Sequence, residues 1–162
     1  MNQILTERLW LLQLDATQAR NLLEGRADSE RPWMAGYPIE GTLVAAEAFL
    51  RTVDAGIDPG PYGMYQLIRQ GDSLVVGDIG FHAPPDSSGT VTVGYGLATE
   101  ARGQGYATEA LRAIIGWAMR QPDVRWVEAD TAHGNVPSQR VMERAGMRFI
   151  GRNDRLRFYR YP

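Results

Sequence analysis

Residues 8–14 (RLWLLQL) form an apolar run that reads as a first strand. Asp15, with Gln18 three residues later, offers a capping box for a short helix over residues 16–25. Leu43, Ala46, Phe49, Leu50 and Val53 recur at helical spacing and predict a second helix ending near Gly56. Residues 62–70 and 73–82, joined at Gly71-Asp72, read as a hairpin, and residues 90–98 (TVTVGYGLA) as the next strand. Ala107, Ala110, Leu111, Ile114, Ile115 and Ala118 make the apolar stripe of a helix over residues 108–121. A strand over 124–130 and a short helix over 135–145 follow, the helix with Pro137 in its first turn and Gly146 at its end. Residues 147–151 and 156–161 close the chain as a β-ribbon around Asn153-Asp154.

The order is antiparallel hairpins, then strand–helix–strand–helix, then a hairpin. It predicts an α+β fold with α/β/α layering: a mixed, mostly antiparallel sheet of about seven strands and about four helices. Neither an internal repeat nor a linker interrupts it, so residues 1–162 read as a single domain. Residues 26–40 stand apart as a Pro/Gly-rich polar loop carrying Trp33 and Tyr37, of a length that is often functional.

Composition narrows the chemistry. Apolar residues at 44% and charged residues at 22% are ordinary for a soluble domain. A net charge of −2 provides no global basic field for nucleic acid. The sequence has no cysteine, which removes thiol nucleophiles, disulfides and thiolate metal sites and fits a cytoplasmic address. With His82 and His133 as the only histidines, a histidine-based metal site is not expected. Thr6-Glu7-Arg8 breaks the first residues before any signal-like apolar stretch, and no run is long enough to cross a bilayer.

The chemically distinctive stretch is Arg102-Gly103-Gln104-Gly105-Tyr106-Ala107, between a strand and a helix. A helix opened by small residues straight off a strand leaves backbone N–H groups unpaired at its positive end, a site suited to phosphates. Arg102 adds a positive charge at its mouth. A dinucleotide fold fits poorly, because the glycine pair follows hairpins and ends at Thr108 instead of a third small residue.

With its flanking strand and helix, this stretch resembles the acyl-CoA signature of the GNAT superfamily of N-acyltransferases, met here by Arg102, Gly105 and Ala107. Val93-Gly94-Tyr95-Gly96-Leu97 and Gly105-Tyr106-Ala107-Thr108-Glu109-Ala110 resemble the RimJ/RimL-like branch, as do Leu5-Thr6-Glu7-Arg8-Leu9 at the start. Downstream, Glu128-Ala129 followed by Asn135, Ser138, Val141 and Gly146 matches that branch's second motif. The resemblance implies acetyl-CoA as co-substrate, no metal, and backbone amides of Gly103, Gln104, Gly105, Tyr106, Ala107 and Thr108 around its pyrophosphate. It implies a splayed parallel strand pair with the pantetheine in the gap, met by backbone of Tyr95 and Leu97, by Asn135, and by Ser138 facing the sulfur. The implied partner is an amine-bearing small molecule or a protein N-terminus, with neither nucleic acid nor membrane; a homodimer stays open.

An amine attacks a thioester only when neutral. At pH 7 that costs about 1 kcal/mol for an N-terminal amine and about 4.6 kcal/mol for a lysine, so the need for a base depends on the acceptor. Glu128, on the strand beside the gap, is the first candidate base, and Asp130 shares its face. Like charges so placed raise one proton affinity; the competing reading makes both solvated or salt-bridged strand-end groups. His133 reads as an exposed turn residue. Ser138 is the candidate proton donor to the leaving thiolate, because the tyrosine many relatives carry four residues further on is Met142 here. Trp33, Tyr37, Tyr159 and Tyr161 either line an acceptor cleft or are core aromatics. The rival class is a degenerate coenzyme A-binding module without turnover.

Overall fold

The computed structural model describes residues 2–162. Their strands are β1 (Gln3–Leu5), β2 (Leu9–Gln13), β3 (Met64–Arg69), β4 (Val75–Phe81), β5 (Thr90–Leu97), β6 (Trp126–Ala132), β7 (Arg148–Arg152) and β8 (Leu156–Tyr161). They form one sheet in the order β1-β2-β3-β4-β5-β6-β8-β7, antiparallel throughout except for β5–β6. The helices are α1 (Ala16–Leu23), α2 (Glu40–Asp54), α3 (Tyr106–Ala118) and α4 (Val136–Arg144), with a single 3₁₀ turn at Thr99–Ala101. None of the helices among the described residues is long and apolar enough to cross a membrane.

The local signals act as their chemistry requires. Asp15 and Gln18 bond each other's backbone N–H at 2.8 and 2.9 Å, the complete capping box. The apolar stripe of α3 is buried along its length. Most boundaries shift by one to three residues, and two differences have a clear cause. Strand β1, three residues long, is too short to show a periodicity and adds an eighth strand through its pairing with β2. Strand β6 begins two residues late, because the Gly89 carbonyl accepts both Arg125 N–H and Trp126 N–H and fixes where the strand can start.

Register assigns the faces. Gly96 pairs with Asp78, Gly94 with Gly80, and Thr92 with Glu128. Residues directly opposite in a ladder point to the same side. The Thr42 hydroxyl of α2 bonds Asp78, and Ile39, which precedes α2, lies against Gly96, so this is the α2 face. Tyr95, alternating with Gly94 and Gly96, points to the other side, where its hydroxyl reaches Ser138 of α4. Pairing of β5 with β6 stops at Thr92 and Glu128, while β5 runs on to Leu97 and β6 to Ala132. The parallel strands therefore part, and a gap opens between them.

Candidate active site

The first wall of the gap is backbone. Gly105 caps α3 in the left-handed region at φ 83° and offers no side-chain bond to the first turn. The leading N–H groups of α3 are left free to face a ligand. Gly103, also left-handed at φ 77°, has nothing within 4 Å of where a Cβ would stand. Along these residues runs a cavity of about 500 Å³, bounded by Leu97, Arg102, Gly103, Gly105, Tyr106, Ala107 and Thr108 on one side and by Asn135, Ser138, Arg140 and Arg144 on the other. Three arginines thus face it, where the sequence reading had one. Gln104 does not line the cavity: its side chain folds back to the Glu100 carbonyl at 3.1 Å. The Leu97 carbonyl is already engaged, accepting Arg102 Nε at 3.3 Å.

The glycine loop is clasped from outside by Arg8. Its guanidinium donates to the Gln104 carbonyl at 2.8 Å and to Glu109 at 2.7 Å, and lies over the Tyr106 ring at 4.5 Å. Glu109 also accepts the Arg8 backbone N–H and the Thr6 hydroxyl. Burial alone would raise the Glu109 carboxyl, but the bonds from Thr6 and Arg8 outweigh it and hold it below the usual carboxylate range. Thr6, Arg8 and Glu109 were visible in the sequence as fragments of a resemblance; their shared work was not.

The second wall is α4. Asn135 is its N-cap, its side chain accepting the Ser138 N–H at 3.2 Å, and it lines the cavity as well. Ser138 Oγ lies 2.8 Å from the Tyr95 hydroxyl, which also reaches the Ser138 carbonyl at 3.2 Å. Burial pushes the Tyr95 phenol up to about 12 against the opposing Ser138 bond, so it stays protonated and can donate. Sequence reasoning assigned Tyr95 backbone contacts only. Met142, at the usual tyrosine position, is fully buried core.

Glu128 sits where the strands part, as its place on β6 implies, but its Oε1 accepts two bonds from Arg160 of β8, at 2.5 and 2.9 Å. It lines neither this cavity nor the next. His133 is held by the Asn153 carbonyl at 2.7 Å and lines neither. Trp33 and Tyr37 likewise line neither cavity. They pack edge to face and dock on β4, where Trp33 bridges Val75. Tyr159 is fully buried core.

A second cavity, of about 470 Å³, lies on the opposite face of β5, roofed by α2. The Gly41, Thr42, Ala45, Ala48 and Phe49 side of α2 faces β-sheet residues Met64, Asp78, Gly80, Phe81, Gly94 and Gly96, with His82 at the rim. Asp78 is 5% exposed, and its Oδ2 accepts the Thr42 hydroxyl at 2.5 Å. Burial lifts its carboxyl to about 6, against the lowering effects of the Thr42 bond and the nearby Tyr37 hydroxyl. The Tyr37 phenol beneath it is raised by its own burial first and then by the Asp78 charge. No well-aligned hydrogen bond forms at that hydroxyl, although Asp78 and Gln66 lie close enough to bear on its ionisation. The two cavities have Ile39, Tyr95 and Gly96 in common and meet across β5. Among the described residues no cluster of histidine and acidic side chains could hold a metal ion.

Comparison with known proteins places this geometry. Uncharacterized N-acetyltransferase YjdG of Bacillus subtilis is 30% identical over 80 residues, covering 49% of this chain and 48% of that protein, so the match spans about half of the relative. Two solved structures share the fold. The ribosomal L7/L12 alpha-N-protein acetyltransferase RimL in complex with coenzyme A superposes at a TM-score of 0.68 with 19% identity over 99% of this chain and 97% of its own. An acetyl transferase from Salmonella typhimurium, described as modifying the N-terminal serine of 50S ribosomal subunit protein L7/L12, gives 0.69 and 18% over 99% and 98%. The model of the acetyltransferase (GNAT) domain matches residues 8–148, and the chain belongs to that family.

Proposed function

We propose that the protein is an acyl-CoA-dependent N-acetyltransferase that acylates a primary amine by direct transfer. One observation carries the reading: a cavity walled by helix N-terminal amides and arginines meets a second cavity across β5, at Tyr95 and Gly96. Two ligands seated in them would approach each other there, which is what transfer without a covalent relay needs. The relative solved with coenzyme A has the same fold, and the groove here fits that molecule's chemistry.

Acetyl-CoA, when bound, supplies an activated acyl thioester. Amides of residues 103–108, with Arg102, Arg140 and Arg144, would hold its phosphates. Asn135 would bond the pantetheine. Ser138, backed by the protonated Tyr95 hydroxyl, would donate a hydrogen bond and then a proton to the departing sulfur. Glu128, held by Arg160 and outside both walls, would act on the amine only through water. The reading is tested by thiol release from acetyl-CoA across an amine panel. Turnover with a metal chelator present is expected. Coenzyme A binding without turnover on any amine would leave a binding module instead.

A further inference from the structure

We infer that the cavity under α2 takes a small primary amine with an apolar body, and that Asp78 binds its ammonium group and removes its proton. The inference rests on the acetyltransferase reading above. Asp78 is the only carboxylate in the wall, and it pairs across the ladder with Gly96, one of the residues shared by the two cavities. An ammonium on Asp78 therefore sits at the end nearest the thioester. Thr42 occupies only Oδ2 and fixes the carboxylate's orientation from the helix.

The rest of the chamber selects the body of the ligand. Ala48, Phe49, Met64 and Phe81 give it apolar sides, and its size is that of a small-molecule site. The wall has no arginine or lysine, so an amino acid would bring a carboxylate beside Asp78 with nothing to pair it. A peptide would bring amide groups to sides that offer them few partners. A phenylalkylamine has one cation for the one anion and an apolar remainder for the apolar remainder.

The proton accounting closes. The ammonium gives one proton to the Asp78 carboxylate, and its freed lone pair forms the N–C bond at the thioester carbonyl while the C–S bond breaks. The sulfur leaves with that electron pair and takes up the second N–H proton by way of the Ser138 and Tyr95 hydroxyls. Asp78 returns its proton to solvent, so amide, thiol and one proton are the products. The groups facing Asp78 are Tyr37 from the loop, Thr42 from α2, Gln66 from β3 and His82 at the cavity rim. A carboxyl lifted by burial to about 6 is ionised at neutral pH yet more basic than an exposed one, as removal of an ammonium proton requires.

The test uses 2-phenylethylamine, L-phenylalanine and a seryl tripeptide as probes, with wild type and Asp78→Asn, which retains an acceptor for Thr42. Calorimetry without acetyl-CoA should show 2-phenylethylamine binding wild type at least tenfold tighter than Asp78→Asn, with coenzyme A affinity equal in both. With acetyl-CoA, kcat/KM should favour 2-phenylethylamine over either other probe. It should rise through pH about 6 in wild type and fall at least a hundredfold in Asp78→Asn at pH 7. A second variant, Ala48→Phe on the side of α2 that lines the chamber, should fill it and abolish amine binding while leaving coenzyme A bound. Turnover that prefers the tripeptide or phenylalanine, or an Asp78→Asn profile like wild type, overturns this inference and leaves the acetyltransferase reading standing. Absence of both coenzyme A binding and thiol release overturns the two together.

Discussion

The groove between β5 and α4 and the chamber under α2 lie on opposite faces of one strand and are built by opposite means. The wall of the groove at α3 is main chain: a left-handed glycine pair, a helix start without a side-chain cap, and a clasp that holds the loop from behind. The chamber's chemical character comes from side chains, with one acid among largely apolar neighbours. Main chain at a helix start recognises phosphate in any protein that makes the turn. A chamber of side chains recognises what its individual residues allow, so a family shares its donor site more readily than its acceptor site.

Mutations aimed at each region should separate them. The largest effect belongs to Gly103→Asp. The position opens on free space at the groove, and aspartate tolerates the left-handed conformation better than most residues. The new charge should lower acetyl-CoA affinity by about a hundredfold or more, roughly 3 kcal/mol, with a folded protein by circular dichroism and unchanged amine binding by calorimetry. Gly105 is a poorer position for this test, since a Cβ there would meet Arg8 Nη2 at 3.3 Å and disturb the clasp.

On the chamber side, Asp78→Asn should stabilise the fold. The buried Asp78 carboxyl is raised from 3.8 to about 6, so the native state binds its proton more tightly than the unfolded chain. Stability from this group is therefore fully present below pH about 4 and lost as pH rises through about 6. Two pKa units correspond to about 3 kcal/mol. Thermal unfolding at pH 8 should put Asp78→Asn higher by about 6 °C or more, and the gap should close toward pH 4. An unchanged melting temperature at pH 8 would mean that the Asp78 charge is not strained by its burial.

The smallest effect falls on the partition itself. Tyr95→Phe removes the hydroxyl 2.8 Å from Ser138 while keeping the ring. Loss of one donor behind the leaving sulfur should lower kcat about tenfold, close to 1.4 kcal/mol, with KM for the amine little changed. An equal loss in KM would assign Tyr95 to the chamber instead of the groove.

The same division explains what could be read from the sequence. Strand and helix periods, the capping box at Asp15 and the glycine pair are local patterns, and the structure keeps each of them. Asp78 did leave a signal: a single acid inside VVGDIGF, a strand buried along nearly its whole length. That signal goes unread without the knowledge that α2 stands off the sheet at that point. For Trp33 and Tyr37 the sequence leaves cleft and core both open; in the structure Tyr37 is buried and the Trp33 backbone bridges Val75 of β4. Of that loop, Ile39 faces the cavities, and nothing in its local pattern marks it. Glu128 lies on β6, as the strand reading requires. Its partner Arg160 comes from a β6–β8 register that no local pattern encodes.

Ile39, Tyr95 and Gly96 have one more consequence. Because the cavities share a wall one strand thick, a ligand that shifts Tyr95 on one side reshapes the surface met by the other. Affinities on the two sides are then linked, and linkage is reciprocal: whatever factor an amine adds to coenzyme A binding, coenzyme A must add to amine binding. Product release falls under the same constraint, since an acylated amine lodged beside Tyr95 would alter how firmly the spent thiol is held. On the proposed reading, how tightly each product is held is thus coupled to the other across a partition of three residues.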